Sequence, residues 1–367
     1  MRAEELLAAA LRGDAAPWPL DADDAFAAAI LEVAREHGVA ALLPSAPAIS
    51  RWPDGLQRAF RDVRRDEAVI EPIRRQALQR VLAALQQAGI RCLVIKGAEL
   101  AYTHYSQPWL RPRVDTDLLI APADRDVADA ALRAIGYLPT PQVSGTLVTH
   151  QLQYQRRDRY QLTDIIDLHW KVTNPHLFAD VLTFDELMTT ARPIPQVGEA
   201  AWGPSTVHAL LLACVHRVAH HQNSELLIWL YDIHVLVAAM TPGEHAQFLE
   251  CARVKRLRSI CRAGLDGARR RFRTPHLSDW RDRLETSSDD EIEPSAAFLQ
   301  PGVRRIDILL SDLRAVGGWT RRMRLLREHL LPPAEYVRAR YGHRTPLLFA
   351  YVDRVVTGVG KWFRAAS

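Results

Sequence analysis

Two aspartates separated by one residue, Asp115 and Asp117, are the residues of this chain best suited to chemistry. They belong to an apolar segment that predicts a strand over residues 115–120, in which alternate side chains share a face. Two carboxylates about 7 Å apart on one face can hold hard divalent cations, which prefer oxygen ligands. Carboxylates that hold metal ions are typical of phosphoryl and nucleotidyl transfer.

A glycine follows the preceding strand, which is predicted over residues 91–95. We expect a glycine turn at Gly97 and a helix over residues 100–105, because glycine lets backbone N–H groups approach a phosphate at a helix start. Gly97 would then hold the β- and γ-phosphates of a nucleotide. A glycine at such a junction is common, so this interpretation depends on the two aspartates downstream.

The elements that must position these residues have the order of α/β units. A helix ending at Gly89 precedes the first strand, a helix is predicted over residues 124–135, and further strands are predicted over 146–154 and 163–170, separated by a charged loop around residues 156–159. Residues 1–78 have helical periodicity over 3–11, 24–37 and 56–81. Long helices begin at Ser205 and continue as one helix over 226–240 and two more over 244–272. We therefore predict a mixed α/β (α+β) fold with an N-terminal helical region (1–78), a catalytic domain (79–200) and a C-terminal helical domain with a basic tail (201–367).

The spacing of these residues resembles a bacterial family of uncharacterised nucleotidyltransferases, within the nucleotidyltransferase (DNA polymerase β-like) superfamily. The resemblance covers roughly residues 80 to 240, with a weaker one at 331–333 and 336–338. It is carried by Lys96-Gly97, Arg111, Asp115-Thr116-Asp117-Leu118-Leu119-Ile120, Gly136-Tyr137, Ile166-Asp167-Leu168-His169-Trp170, His216, His220, Trp229 and Asp232.

The resemblance implies a mixed β-sheet flanked by helices and an enzyme that moves a nucleoside monophosphate from an NTP such as ATP, with release of pyrophosphate. It implies Mg²⁺ or Mn²⁺ held by Asp115, Asp117 and Asp167, the last of which would also help to deprotonate the acceptor. Asp164 competes for the third place. Strand alternation puts Asp164 on the opposite face near the strand start, where it fits a cap, whereas Asp167 shares a face with His169.

Lys96 and Ala98, on either side of Gly97, are also expected to bind the nucleotide. Lys96 would pair with a phosphate as a point charge, although the last residue of a strand can equally point to solvent. Ala98 stands where the family usually has Gly or Ser, which removes a hydroxyl contact to phosphate but keeps the residue small.

Two arginines and a histidine complete the predicted nucleotide site. Arg111 and Arg113 precede the aspartates and could clamp the triphosphate, and Arg113 alternates onto the Asp115 face. A salt bridge from Arg113 to Asp124 or Asp126 is the alternative. His169 would contact the nucleotide or the acceptor, or form a hydrogen bond in the core.

His216 and His220 form a rival site, because histidines at i and i+4 on a helix can bind zinc, with Asp232 as a third ligand. A zinc hydrolase of this type needs a glutamate after the first histidine, and Arg217 stands there instead. We expect the two histidines, with Trp229 and Asp232, to join the helical domain to the catalytic cleft. Whether they are structural or line the nucleotide or acceptor pocket stays open.

The composition is that of an ordinary globular protein. The 367 residues are 48% hydrophobic and 25% charged, without an eighteen-residue apolar run or a signal peptide. Four cysteines without CxxC spacing indicate core thiols in a reducing compartment, so a cytoplasmic location is expected. High alanine and arginine usage is typical of GC-rich bacterial coding.

The charge is distributed unevenly. The net charge is +4, and residues 321–364 contain ten lysines and arginines against three acidic residues. Such a tail could touch an acidic partner, nucleic acid or anionic lipid at a membrane surface, or simply form a solvated helical face.

The function with most support is a nucleotidyltransferase whose partners are an NTP and a small-molecule or peptide acceptor. The alternative is a catalytically inactive nucleotide-binding or scaffold protein of the same fold. A nucleic-acid end-modifying enzyme is not favoured, because the chain has no recognisable nucleic-acid-binding motif.

Overall fold

The computed structural model describes residues 2–158, 161–221, 223–274, 280, 283–285, 293–300, 302–342 and 345–362. A five-stranded mixed sheet lies at its centre, with the strand order β1-β2-β5-β4-β3. Strands β2 and β5 are parallel, and the other neighbours are antiparallel. The strands are β1 (Cys92–Ile95), β2 (Thr116–Ile120), β3 (Leu138–Pro139), β4 (Gln151–Arg157) and β5 (Thr163–His169), and a separate pair is formed by β6 (Arg192–Pro193) and β7 (Trp202–Gly203).

Helices surround this sheet. The first eight are α1 (Ala3–Leu11), α2 (Asp24–Glu36), α3 (Asp54–Gln87), α4 (Lys96–Thr103), α5 (Arg125–Ala134), α6 (His176–Ala179), α7 (Phe184–Thr189) and α8 (Thr206–Ala219). They are followed by α9 (Leu227–Ala239), α10 (Pro242–Val254), α11 (Arg258–Phe272), α12 (Arg305–Ala315), α13 (Trp319–Leu330), α14 (Ala334–Tyr341) and α15 (Leu347–Trp362). Short 3₁₀ turns include Leu43–Ser45, Pro47–Arg51, Pro108–Leu110, Pro122–Asp124 and Pro294–Leu299.

The central strands are short apolar runs that are buried on both faces. Their side chains alternate between two hydrophobic clusters. Val94 and Leu118 pack with residues of α3 and α5, whereas Ile95 and Leu119 join the cluster formed by the helical parts of the chain. Because Asp117 alternates with Leu118, its side chain faces the second cluster.

The N-terminal and C-terminal helices share that second cluster. Leu6 and Leu7 of α1 and Ile260 and Leu265 of α11 belong to it. Helix α3 also runs without a break through residues 78 and 79. The domain boundaries expected at 78/79 and 200/201 therefore stay a prediction, with no gap in packing to mark the first of them.

The predicted mixed α/β class is confirmed, and so are most predicted elements. Helix α1 has the predicted bounds, and Ser205 caps α8 by accepting a hydrogen bond from the His208 amide. The strand predicted over 146–154 was placed too early. Strand β4 begins at Gln151 and continues through Arg156 and Arg157, which were expected in a loop.

None of the helices that the structure describes is long and apolar enough to cross a membrane. The four cysteines are free thiols.

Candidate active site

Asp117 and Asp167 lie side by side on the two parallel strands at the middle of the sheet. The β2–β5 register pairs Asp117 with Asp167 and Leu119 with His169. Residues paired in this way point to the same face, so both carboxylates and the imidazole of His169 project toward the helices. The sheet therefore brings together three of the residues that the sequence singled out.

Two nitrogen atoms lie within hydrogen-bond distance of the Asp117 carboxylate. The Lys96 Nζ atom lies 2.7 Å from Asp117 Oδ1, and His169 Nε2 lies 2.8 Å from the same oxygen. Lys96 Nζ is also 3.4 Å from His169 Nε2. The Lys96 side chain thus points into the site and not to solvent, and its direct partner in this structure is a carboxylate.

These contacts set the charges of the site. Burial would raise the pKa of Asp117, but Lys96 and His169 overcome this effect and hold the pKa well below its usual range. Burial and the neighbouring Asp117 raise the pKa of Asp167. Burial and Lys96 lower the pKa of His169. Asp117 is therefore the permanent anion, and Asp167 is a carboxylate that binds a proton more readily than usual.

The donor set fits a divalent cation. Asp117, Asp167 and His169 each offer a ligand atom, and these atoms lie within 4.8 Å of one another. Gln151 Nε2 donates to Asp167 Oδ2 at 3.2 Å, and the Gln153 side chain also lies close enough to favour the ionised carboxylate, whereas the buried Asp167 Oδ1 has no hydrogen-bond partner of standard geometry among the described residues. A buried carboxylate oxygen without a partner is costly unless a ligand satisfies it, so this oxygen is the best-placed ligand for a metal ion.

Asp115 occupies a different position from the one expected. It lies in a bend just before β2 and not within the strand, and it is not part of the cluster of three potential ligands. It still borders the same cavity as Asp117 and Asp167. Burial, with repulsion from those two carboxylates, raises the pKa of Asp115 to about 7.

Gly97 does not form the expected turn. Helix α4 begins at Lys96, the residue that adopts the left-handed conformation (φ 57°), and Gly97 and Ala98 lie in the first helical turn. A Cβ atom on Gly97 would meet the guanidinium group of Arg111 at 3.1–3.2 Å. The glycine therefore leaves room for the arginine side chain that packs against it.

That arginine is held by helix α9. Arg111 donates from Nε and Nη2 to the Asp232 carboxylate at 2.8–3.1 Å, and the Tyr105 hydroxyl donates to Asp232 at 2.7 Å. Burial alone would lower the pKa of Arg111, but Asp232 raises it above the usual value. The pair joins the loop before β2 to α9.

Arg113 is bound to α3. It forms an ion pair with Glu71 at 3.0 Å, donates to the Tyr102 hydroxyl and lies over the Tyr102 ring. Its partner is therefore neither Asp124 nor Asp126. Arg113 also borders the cavity, so contact with a triphosphate stays a prediction.

The carboxylates face a cavity of about 410 Å³ between the sheet and helices α8 and α9. The cavity is also lined by His216, His220, His221 and Trp229, which we call the ring cluster. Asp232 pairs with Arg111, and the cluster of Asp117, Asp167 and His169 is the only group of three potential metal ligands among the described residues. The zinc site considered for His216, His220 and Asp232 is therefore not formed.

Asp164, the rival of Asp167, lies away from this cavity. It accepts a hydrogen bond from the Tyr137 hydroxyl, and it borders a second cavity, of about 140 Å³. That second cavity shares Arg113, Val114 and Asp115 with the first. Asp115 thus lies between two cavities.

Sequence reasoning missed several partners of the site. Gln151 supports Asp167, Glu71 holds Arg113, and His221 belongs to the ring cluster. His221 follows His220 directly, so its position could have been suspected. Nothing in the sequence marks Glu71 or Gln151, because their partners are 42 and 16 residues away.

A buried acid in α4 gives a prediction about stability. Burial raises the pKa of Glu99 from 4.5 to about 8, with Thr103 lowering it in part. Between pH 5 and 8 the folded protein therefore keeps a proton on Glu99 that the unfolded chain loses. Because of this one group, the unfolding free energy should fall by up to about 1.4 kcal/mol for each pH unit in that range. Glu99→Gln should remove this slope, as measured by denaturant unfolding at pH 5.5, 7 and 8.5.

The control for that prediction is Glu250→Gln, an exposed substitution on α10 that should leave the slope unchanged. Parallel pH profiles of Glu99→Gln and the wild type would contradict a protonated Glu99.

Comparison with known proteins agrees with this geometry. A search of curated proteins gave no significant match. A family model described as uncharacterised nucleotidyltransferase matches residues 24–273, which include the sheet, the carboxylates and the ring cluster. With about two thirds of its length matched, the chain belongs to this family of uncharacterised nucleotidyltransferases.

Proposed function

We propose that this protein is a metal-dependent enzyme that moves a nucleoside monophosphate from an NTP to a small-molecule or peptide acceptor and releases pyrophosphate. The observation that carries the proposal is the pair Asp117 and Asp167, in register on neighbouring parallel strands, with a buried Asp167 oxygen that lacks a partner among the described residues. Membership of a nucleotidyltransferase family supports the same reaction class.

The proposed metal ligands are Asp117 and Asp167, with Asp115 at the edge of the cavity. Mg²⁺ or Mn²⁺ bound there would stabilise the charge that develops on the phosphates during transfer. Asp117 is suited to bind a cation because Lys96 and His169 keep its carboxylate ionised. His169 would orient Asp117 through their 2.8 Å contact.

The phosphates would lie near the first turn of α4. Backbone N–H groups at a helix start attract anions, and Gly97 and Ala98 are in that turn. Lys96 adds a positive charge beside it. Arg113 would approach the triphosphate from the edge of the cavity while bound to Glu71.

The acceptor oxygen would attack the α-phosphorus in line with the bond to the β-phosphate. The new P–O bond forms as that bond breaks, and pyrophosphate leaves. Asp167, beside the metal, would take the proton of the acceptor hydroxyl. The second cavity, which also borders Asp115, has a volume of about 140 Å³ and supports a small acceptor.

Product analysis tests this proposal. The protein is incubated with Mg²⁺, α-labelled ATP, GTP, CTP or UTP, and fractionated small-molecule and peptide extracts. We expect pyrophosphate in the same amount as label joined to an acceptor, and neither product with Asp117→Asn.

Formation of a nucleoside diphosphate, with label retained in it, would mean attack at the γ-phosphorus and would contradict nucleotidyl transfer. Metal-dependent nucleotide binding with no transfer to any fraction would favour the inactive nucleotide-binding alternative.

A further inference from the structure

The ring cluster of His216, His220, His221 and Trp229 is the part of the cavity that the proposed chemistry does not use. The rings are in mutual contact: His221 lies over Trp229 with centroids 4.0 Å apart and planes inclined by 34°, and His216 meets His221 edge to face at 4.7 Å. His216 and His220 are 5.3 Å apart. Helix α8 and the residues after it thus supply a continuous aromatic surface next to the first turn of α9.

This surface is not simply part of the core. All four rings border the cavity, and Trp229 is only partly buried against the hydrophobic cluster. The His220 Nε2 atom is buried and has no hydrogen-bond partner among the described residues. A buried ring nitrogen in this state can be satisfied by a ligand that donates to it or accepts from it.

The cluster is also uncharged near neutral pH. Burial and the charge of Lys96 lower the pKa of His216 and His220 well below the usual value, and they lower that of His221 to about 4. Neutral imidazoles are poor partners for phosphate, but they offer flat faces and one donor and one acceptor each. Proteins bind nucleic-acid bases by stacking them on flat aromatic rings, and this contact needs no charge on the ring.

The cavity is therefore lined by two chemically different sets of groups. One set is Lys96, the start of α4 and the carboxylates, and the other is the ring cluster. A nucleotide has the same division, with charged phosphates at one end and an uncharged planar ring at the other. Resting on the proposed function, we propose that the ring cluster binds the nucleobase of the NTP, by stacking on an outer face of the Trp229–His221 pair and by a hydrogen bond to His220 Nε2.

The test compares a nucleotide with a ligand that lacks a base. Binding of ATP, GTP, CTP, UTP and inorganic tripolyphosphate is measured by calorimetry in the presence of Mg²⁺. The variants are Trp229→Leu, which removes the aromatic face, Trp229→Phe, which keeps one, and His220→Phe, which keeps the ring shape but removes its nitrogens. Trp319→Leu is the matched control, because Trp319 is 73% exposed on α13 and does not border the cavity.

Trp229→Leu removes one stacked contact to the base. Its affinity for the NTP that binds wild type most tightly should therefore fall between about 5- and 150-fold. Tripolyphosphate affinity should stay within about 2-fold of wild type, since stacking acts on the base alone. Trp229→Phe should retain most of the NTP affinity, His220→Phe should lose part of it, and Trp319→Leu should lose none. Thermal unfolding of each variant reports on the fold.

Two results would overturn the assignment of the base to this cluster. In the first, Trp229→Leu and His220→Phe lose the same affinity for NTP as for tripolyphosphate; in the second, they lose affinity for neither ligand. The same follows if wild type binds tripolyphosphate as tightly as every NTP. Binding of neither ligand by wild type would contradict the proposed function itself, and with it this inference.

Discussion

Replacing Asp117 with asparagine should weaken the binding of Mn²⁺ in the presence of an NTP on the order of 100-fold or more, because even residues that only orient metal ligands typically contribute 10- to 100-fold. Asp117 is the carboxylate that Lys96 and His169 hold in its ionised form. Asparagine keeps an oxygen for both partners, so the fold should survive. The loss is measured from the electron paramagnetic resonance signal of free Mn²⁺.

Asp126→Asn is the matched control, since Asp126 is exposed in the first turn of α5 and does not border the cavity. Its Mn²⁺ affinity should equal that of wild type. If Asp117→Asn binds Mn²⁺ as tightly as Asp126→Asn, Asp117 is not a metal ligand.

Asp232→Ala should lower the unfolding free energy by about 3–5 kcal/mol, because it leaves the buried Arg111 without its carboxylate. Arg111 and Asp232 are 8% and 4% exposed and form a bidentate pair. The Tyr105 hydroxyl loses its acceptor in the same variant. Urea unfolding, followed by circular dichroism, gives the free energy.

Two further variants show whether the loss of stability comes from breaking the Arg111–Asp232 pair or from any loss of a charged side chain. Asp62→Ala removes an exposed partner of Arg65, with 57% of its side chain accessible, and should change stability by less than about 1 kcal/mol. Arg111→Met with Asp232→Leu should recover part of the loss, because no charge is then left buried. A loss in Asp232→Ala as small as in Asp62→Ala would contradict the role given to the pair.

The parts of the site that sequence could predict are those set by local periodicity. Strand alternation is a short-range property, so the common face of Asp167 and His169 followed from spacing alone. The apolar residues around Asp117 predicted a strand for the same reason. Asp115 was misplaced because the strand begins one residue later than its pattern suggested, and strand ends depend on pairing with neighbours.

The parts that sequence could not predict depend on distant partners. Gly97 was expected in a turn before a helix, but it lies in the first turn of α4, where its lack of a side chain makes room for Arg111. Arg111 in turn finds its carboxylate 121 residues away on α9. No local pattern identifies such a pair, which arises only when α9 packs against the loop before β2.

The measurement that tests the central claim most directly is calorimetric binding of ATP, GTP, CTP and UTP, with and without Mg²⁺, to wild type and to Asp117→Asn and Asp167→Asn. The account predicts that at least one NTP binds wild type only when Mg²⁺ is present, and that both variants lose this binding while Asp126→Asn keeps it. Binding of no nucleotide, or binding of equal strength without metal and in both variants, would contradict a metal-dependent nucleotide site at these carboxylates.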